Sequence, residues 1–228
     1  MAGMSNQSYL SVWLKDFTEE KMIERFGDFL STVPYSAAKP GLTYLTIRAV
    51  DSSESPILEH DLRQVPLDPA GILELAKDHL HSDSAYEAQA HWDLWIFDPS
   101  GEPAFRNEPQ PLDLICYGEE YDSGTWQEDG HFLAVLGFEH FFTGHAGLLG
   151  IGHDSARPAE SPEEARFLEA MAWPENLERY QEKTRENIRR LMDWVRRIER
   201  AMPDARVRLW SEGEENFEVR LEEILAAR

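Results

Sequence analysis

Hydrophobic and polar positions along the chain switch between two periods, and the switches mark out its elements. In Tyr9–Phe17, YLSVWLKDF, Leu10, Val12 and Leu14 alternate with Ser11, Trp13 and Lys15, which predicts a strand. Thr18 is then placed to cap a helix, with Glu19 and Glu20 in its favourable first turn. Met22, Ile23, Phe26, Phe29, Leu30 and Val33 follow at helical spacing until Pro34 closes the helix. Residues 42–50, LTYLTIRAV, and the apolar stretch around 57–62 predict two strands joined by a polar loop. Asp68-Pro69 starts an amphipathic helix carrying Ile72, Leu73, Leu75, Ala76 and Leu80. Residues 85–97, AYEAQAHWDLWIF, alternate as a long strand.

The order over residues 8–98 is therefore β-α-β-β-α-β, which fits a ferredoxin-like split β-α-β arrangement. That order is common and carries no function with it.

Past the Asp98-Pro99-Ser100-Gly101 turn the pattern changes. Pro103, Pro109 and Pro111 argue against a regular central strand over 103–111. A strand is expected at 111–118, PLDLICYG, and a central one at 131–142, HFLAVLGFEHFF, the most apolar run in the chain. Ser161-Pro162-Glu163-Glu164 opens a helix, with a capping serine and a proline at the first position. Pro174 begins another of roughly 28 residues, about 42 Å long at ~1.5 Å per residue. Thr184, Ile188, Leu191, Val195, Ile198 and Met202 form its apolar seam. A short strand at 206–210 and a segment at 217–226, strand or helix, complete the chain.

The expected fold class is α+β. It comprises an antiparallel sheet of ferredoxin-like order in residues 1–100 and a second α+β unit over 101–228 with the long helix 174–202. The two units are expected to pack as one body. A decayed tandem duplication is an open reading, although the helix order of the halves matches poorly.

Composition narrows the function classes. The chain has 228 residues and a formal net charge of −21. Residues 1–160 hold 27 acidic and 9 basic side chains, whereas 161–228 hold 16 and 13. So strong an acidic balance argues against nucleic-acid partners, which need clustered Lys and Arg. No stretch of 18 apolar residues is present, and Glu175, Glu178, Glu182, Glu186 and Glu199 dilute the cations of helix 174–202, so no membrane contact is expected. A single cysteine, Cys116, excludes an intrachain disulfide, and the polar N-terminal stretch does not read as a secretion signal. A cytoplasmic location is the simple inference.

Several constellations could carry chemistry. His91 and Asp93 lie two apart in a strand and share a face, as acid–base work would require. His140, His145 and His153 cluster beside the glycine-rich loop 143–153, in a spacing that matches no known metal signature. No cofactor is expected, because that loop has neither the Gly-x-Gly-x-x-Gly nor the P-loop spacing and no lysine follows it. Cys116, between Ile115 and Tyr117, reads as an inert core thiol. The loop 118–130 places Glu119, Glu120, Asp122, Glu128 and Asp129 beside Tyr117, Tyr121 and Trp126, a combination that suits a basic protein partner.

Two functions compete. One is a non-enzymatic interaction protein binding a basic protein through this acidic loop, of which an immunity-like inhibitor is one kind. The other is an enzyme or small-molecule binder with His91, Asp93, His140 and His145 lining a pocket beside loop 143–153. The long helix could serve a homodimer, or its arginines could pair with the acidic N-terminal part.

Overall fold

The computed structural model describes residues 6–98, 104–145, 149 and 161–227. Strands form where apolar and polar residues alternate: β1 (Gln7–Trp13), β2 (Tyr44–Ala49), β3 (Leu58–Asp61), β4 (Ser84–Asp98), β5 (Ala104–Tyr117), β6 (Phe132–Phe138) and β7 (Arg206–Ser211). The helices are α1 (Glu19–Thr32), α2 (Pro69–Ala76), the short α3 (Trp126–Asp129) and α4 (His140–Thr143), α5 (Pro162–Met171), α6 (Pro174–Ala201) and α7 (Phe217–Ala226). Two of the expected caps form: Asp68 accepts the Gly71 N–H at 2.8 Å and Ser161 accepts the Glu164 N–H at 3.1 Å. Thr18 occupies its cap position in extended geometry, but its side chain makes no capping bond.

The strands build a seven-stranded antiparallel sheet in the order β3-β2-β4-β5-β6-β1-β7, so the α+β class holds. The pairing of a split β-α-β unit does not. The linear order β-α-β-β-α-β is present, yet β1 lies between β6 and β7, away from β2, β3 and β4. The reason is the long hairpin of β4 and β5, in register from Ala85↔Tyr117 to Asp98↔Ala104. Its short connection closes at small entropic cost, and it takes the edge of β4 that β1 would need. Nor does the element order after β4, which runs β5, α3, β6, α4, α5, α6, β7, α7, reproduce the order before it.

Two local expectations are also corrected. Pro109 and Pro111 sit inside β5, opposite Asp93 and His91. The N–H of Tyr117, which shares their parity in the strand, donates to His131 on the side away from β4. The prolines therefore lack their N–H on the side where β6, paired only over Asp113–Cys116, has already left β5. The apolar run 131–142 is not strand throughout: β6 ends at Phe138, and His140–Thr143 turn into α4.

Alternation sorts the side chains onto two faces. One cross-sheet row, Leu45–Ala88–Leu114–Ala134–Leu10–Leu209, is buried and sets Ala88 and Ala134 between leucines. Met22, Phe26 and Phe29 of α1, Ile188, Leu191 and Ile198 of α6, and Leu221 of α7 join it in one core. The opposite rows, Tyr44–Gln89–Asp113–Val135–Tyr9–Trp210 and Thr46–Glu87–Ile115–Leu133–Ser11–Arg208, stand outside that core.

Helix α6 crosses the hairpin. Near its start Tyr180 packs on Phe105 and Phe167; near its end Trp194 packs on Trp92 and Phe29. Between them the helix passes the edge of β4 that β2 leaves free beyond Gln89. Side chains and backbone of other segments answer several of the backbone groups exposed there. Ser36 N–H donates to the His91 carbonyl, Arg190 to the Asp93 carbonyl, and the Asn187 side chain to the Trp95 carbonyl. Such an edge left bare and buried would cost free energy at every unpaired group. The apolar seam of α6 is thus buried within the chain. The ion pairs of α6 among the described residues run within the helix itself, Arg185 and Arg189 to Glu182, Lys183 to Glu186 and Arg196 to Asp193, and not to the acidic N-terminal part.

No helix among the described residues is long and apolar enough to cross a membrane.

Candidate functional site

The segment 118–130 leaves β5 and folds over one end of the open sheet face. Its aromatics are structural. The Tyr121 ring is buried and stacks on Tyr117 at 5.8 Å between centroids. Trp126 stacks on His131 at 4.4 Å, its ring N–H donates to the Glu119 carbonyl at 3.1 Å, and its own carbonyl accepts from the Trp13 ring N–H at 2.9 Å. The His131 ring lies between Trp126 and Phe17, and its Nδ1 accepts the Leu14 N–H at 3.0 Å. Burial lowers the pKa of His131 to about 4, so the ring is neutral with its proton on Nε2. Gly130 closes the segment at φ +97°, where an added Cβ would stand 2.8 Å from the Val12 nitrogen.

Three carboxylates of the segment, Glu119, Glu120 and Glu128, are exposed, whereas Asp122 and Asp129 are partly buried. Glu120 accepts from the Ser82 hydroxyl at 2.9 Å. Burial, then the neighbouring Glu128 charge, raises the pKa of Asp129. Asp122 adopts left-handed geometry, φ 46° and ψ 49°, and its N–H donates to the Val50 carbonyl at 2.8 Å. Val50 also has positive φ, at 73°, which is rare for a β-branched residue.

Beneath the segment is a cavity of about 250 Å³, lined by Thr46, Arg48, Glu87, Tyr117, Tyr121 and Asp122 among others. The walls of this hollow desolvate the Glu87 carboxyl, and with the Asp113 charge they raise its pKa, while Arg48 opposes. Burial is also the main cause that raises the phenols of Tyr117 and Tyr121. Carboxylates add to it: Asp129, Glu87 and Asp122 act on Tyr117, while on Tyr121 Arg48 opposes most strongly and Asp122, Asp51 and Glu87 follow. The stacked tyrosines therefore feel four carboxylates drawn from three parts of the chain, Asp51 after β2, Glu87 in β4, and Asp122 and Asp129 in the segment itself, with Arg48 the opposing cation. Sequence reasoning singled out Tyr117, Tyr121, Asp122 and Asp129 but missed Arg48, Asp51 and Glu87. The signal for two of these lay in the parity of the strands, since Glu87 shares the face of His91 and Arg48 that of Tyr44.

The histidine constellation is only partly assembled. His140 and His145 meet edge to face at 5.9 Å, and the His145 Nε2 lies 3.6 Å from a Glu164 carboxylate oxygen. Burial, then the neighbouring His145, lowers the pKa of His140 to about 4. His91 and Asp93 lie on the hairpin, where Asp93 accepts the Ala37 N–H at 3.2 Å. Among the described residues no hydrogen bond or ring contact joins these two pairs. His153 and the glycines at 147, 150 and 152 lie outside the described residues. Among the described residues no cluster of three His, Cys, Asp or Glu could hold a metal ion. Cys116 is fully buried in the core, and burial pushes its thiol well above the ordinary range.

No protein-family model, curated protein or solved structure matches this chain.

Proposed function

We propose that this chain is a non-enzymatic interaction protein that binds a basic protein partner across the acidic end of its open sheet face. The observation that carries this reading is the ring of Asp51, Glu87, Asp122 and Asp129 around the stacked Tyr117–Tyr121 pair. Carboxylates gathered from separate segments offer one negative surface to the lysines or arginines of a partner, and the long-range field of a −21 chain would speed the encounter. The rigid segment 118–130 offers Glu119, Glu120 and Glu128 at the rim, with Tyr121 and Trp126 holding it in shape. An immunity-like inhibitor of a basic toxin is one protein of this kind. A cytoplasmic setting, where the lone Cys116 stays reduced, suits the same reading.

The test is affinity capture from the native cell with the wild-type chain and with a Glu87→Lys/Glu119→Lys variant. A basic protein is expected to bind the wild type at about 0.1 M salt and to leave at about 1 M, where the Debye length falls from ~10 Å to ~3 Å. The variant is expected to lose it. Capture of nothing, or of a partner indifferent to both salt and charge reversal, would overturn the reading.

A further inference from the structure

Between the outer part of the β4–β5 hairpin and the C-terminal half of α6 lies a groove of about 570 Å³. Its charge is opposite to that of the chain as a whole. Arg190, Arg196, Arg197 and Arg200 line it, against Asp93 and Asp193. Gathering four guanidinium groups in one concavity costs mutual repulsion unless something answers them.

Earlier on α6 the cations are answered within the helix: Lys183 pairs with Glu186, and Arg185 and Arg189 with Glu182. In the groove, among the described residues, Arg196 alone has such a partner, Asp193 at 2.8 Å. Arg190 is held by two neutral acceptors, the Asp93 carbonyl and Asn107 Oδ1, the latter at 2.7 Å. These bonds fix the guanidinium in place without cancelling its charge. Arg200 directs its Nε to the Arg196 carbonyl at 3.1 Å, and its terminal nitrogens make no hydrogen bond or ion pair among the described residues. Arg197 is half-buried and makes no hydrogen bond or ion pair among the described residues.

We propose that this groove binds a small molecule bearing a phosphate monoester, with the phosphoryl oxygens on Arg197 and Arg200 and on the remaining donors of Arg190. A monoester brings about −1.5 to −2 charges at neutral pH and three acceptor oxygens, which matches the excess of guanidinium groups over carboxylates here. A single carboxylate would bring half that charge. The planar guanidinium fork pairs with such oxygens two at a time, as an ammonium does not. The volume falls within the ~300–1,000 Å³ of small-molecule sites and exceeds what the phosphoryl group fills, so the groove has room for an organic remainder.

Titration calorimetry of the full chain with adenosine monophosphate, inorganic phosphate and adenosine tests this. The monophosphate is expected to bind saturably at one site and inorganic phosphate to compete for it, while adenosine does not bind. Arg197→Gln/Arg200→Gln is expected to weaken both anions at least tenfold with an unchanged circular dichroism spectrum. Arg197→Gln alone, which breaks no hydrogen bond or ion pair among the described residues, is expected to weaken them severalfold and serves if the double variant unfolds. Equal affinity for the monophosphate and free phosphate would keep the phosphoryl site and assign it to inorganic phosphate. Saturable binding of neither anion, or binding that the variants leave unchanged, would overturn the proposal.

Discussion

The Asn187 side chain pairs with both backbone polar groups of Trp95. Its Oδ1 accepts the Trp95 N–H at 2.8 Å, and its Nδ2 donates to the Trp95 carbonyl at 2.9 Å and to the Phe141 carbonyl at 3.0 Å. A helix residue thereby takes the place of a neighbouring strand at the free edge of β4, and it does so while almost fully buried. Asn187→Ala leaves three backbone groups without partners. At about 1–3 kcal/mol for a buried unsatisfied group, and allowing for water entry, the loss should be about 2–4 kcal/mol. Urea unfolding should show a lower midpoint at an unchanged slope.

His131 makes the fold acid-sensitive. Its folded pKa of about 4 lies below the ordinary 6.5, so the unfolded chain takes up the proton first as the pH falls. The stabilisation is complete above about pH 6.5 and is lost progressively down to about pH 4, by about 3 kcal/mol in total. His131→Phe keeps the stack between Phe17 and Trp126 but deprives the Leu14 N–H of its acceptor. It should therefore be less stable at pH 7, by about 1–2 kcal/mol. Its stability should also fall less steeply with acid. His140 has the same sign and cancels in the comparison. Parallel thermal or urea curves between pH 7 and pH 4 would refute the assignment.

Val50 carries a φ of 73° and is 56% exposed, so its strain is not repaid by burial. Asparagine tolerates this region far better. Val50→Asn is expected to stabilise the protein by about 1 kcal/mol, read as a rise in Tm.

Cys116 should be silent as a thiol. Folded protein is expected to leave a thiol-specific chromogenic reagent unreacted over hours, and denatured protein to titrate one thiol per chain. Rapid reaction in the native state would contradict its place in the core.

Much of the fold was legible in the sequence because alternation and helical spacing report burial directly. The faces of β4, with Trp92 and Leu94 inward and His91 and Asp93 outward, follow from parity alone, as does the buried seam of α6 through Ile188, Leu191 and Ile198. Pairing is a different matter. Nothing in the residues of β1 says that its neighbours are β6 and β7, since contacts of such long separation leave no local trace. The prolines of β5 misled for a related reason: their cost depends on which side of the strand is empty, and that is decided by where β6 ends. Asn187 was invisible because a polar residue in a helix looks the same whether it faces water or the edge of a strand. At the candidate site, segment 118–130 was recognised from its composition. Its partners Arg48, Asp51 and Glu87 are drawn from other segments and meet it only in the folded sheet.

The proline pair of β5 has a meaning beyond its tolerance. A hairpin that projects past its sheet presents two open margins, and each is an invitation to another chain to add a strand. On the β4 margin the invitation is withdrawn by Ser36, Arg190 and Asn187, which occupy the backbone groups. On the β5 margin Pro109 and Pro111 remove two successive donors from the row that an incoming strand would have to read. The protrusion is thus shielded from edge-to-edge aggregation on both flanks, by occupation on one and by omission on the other.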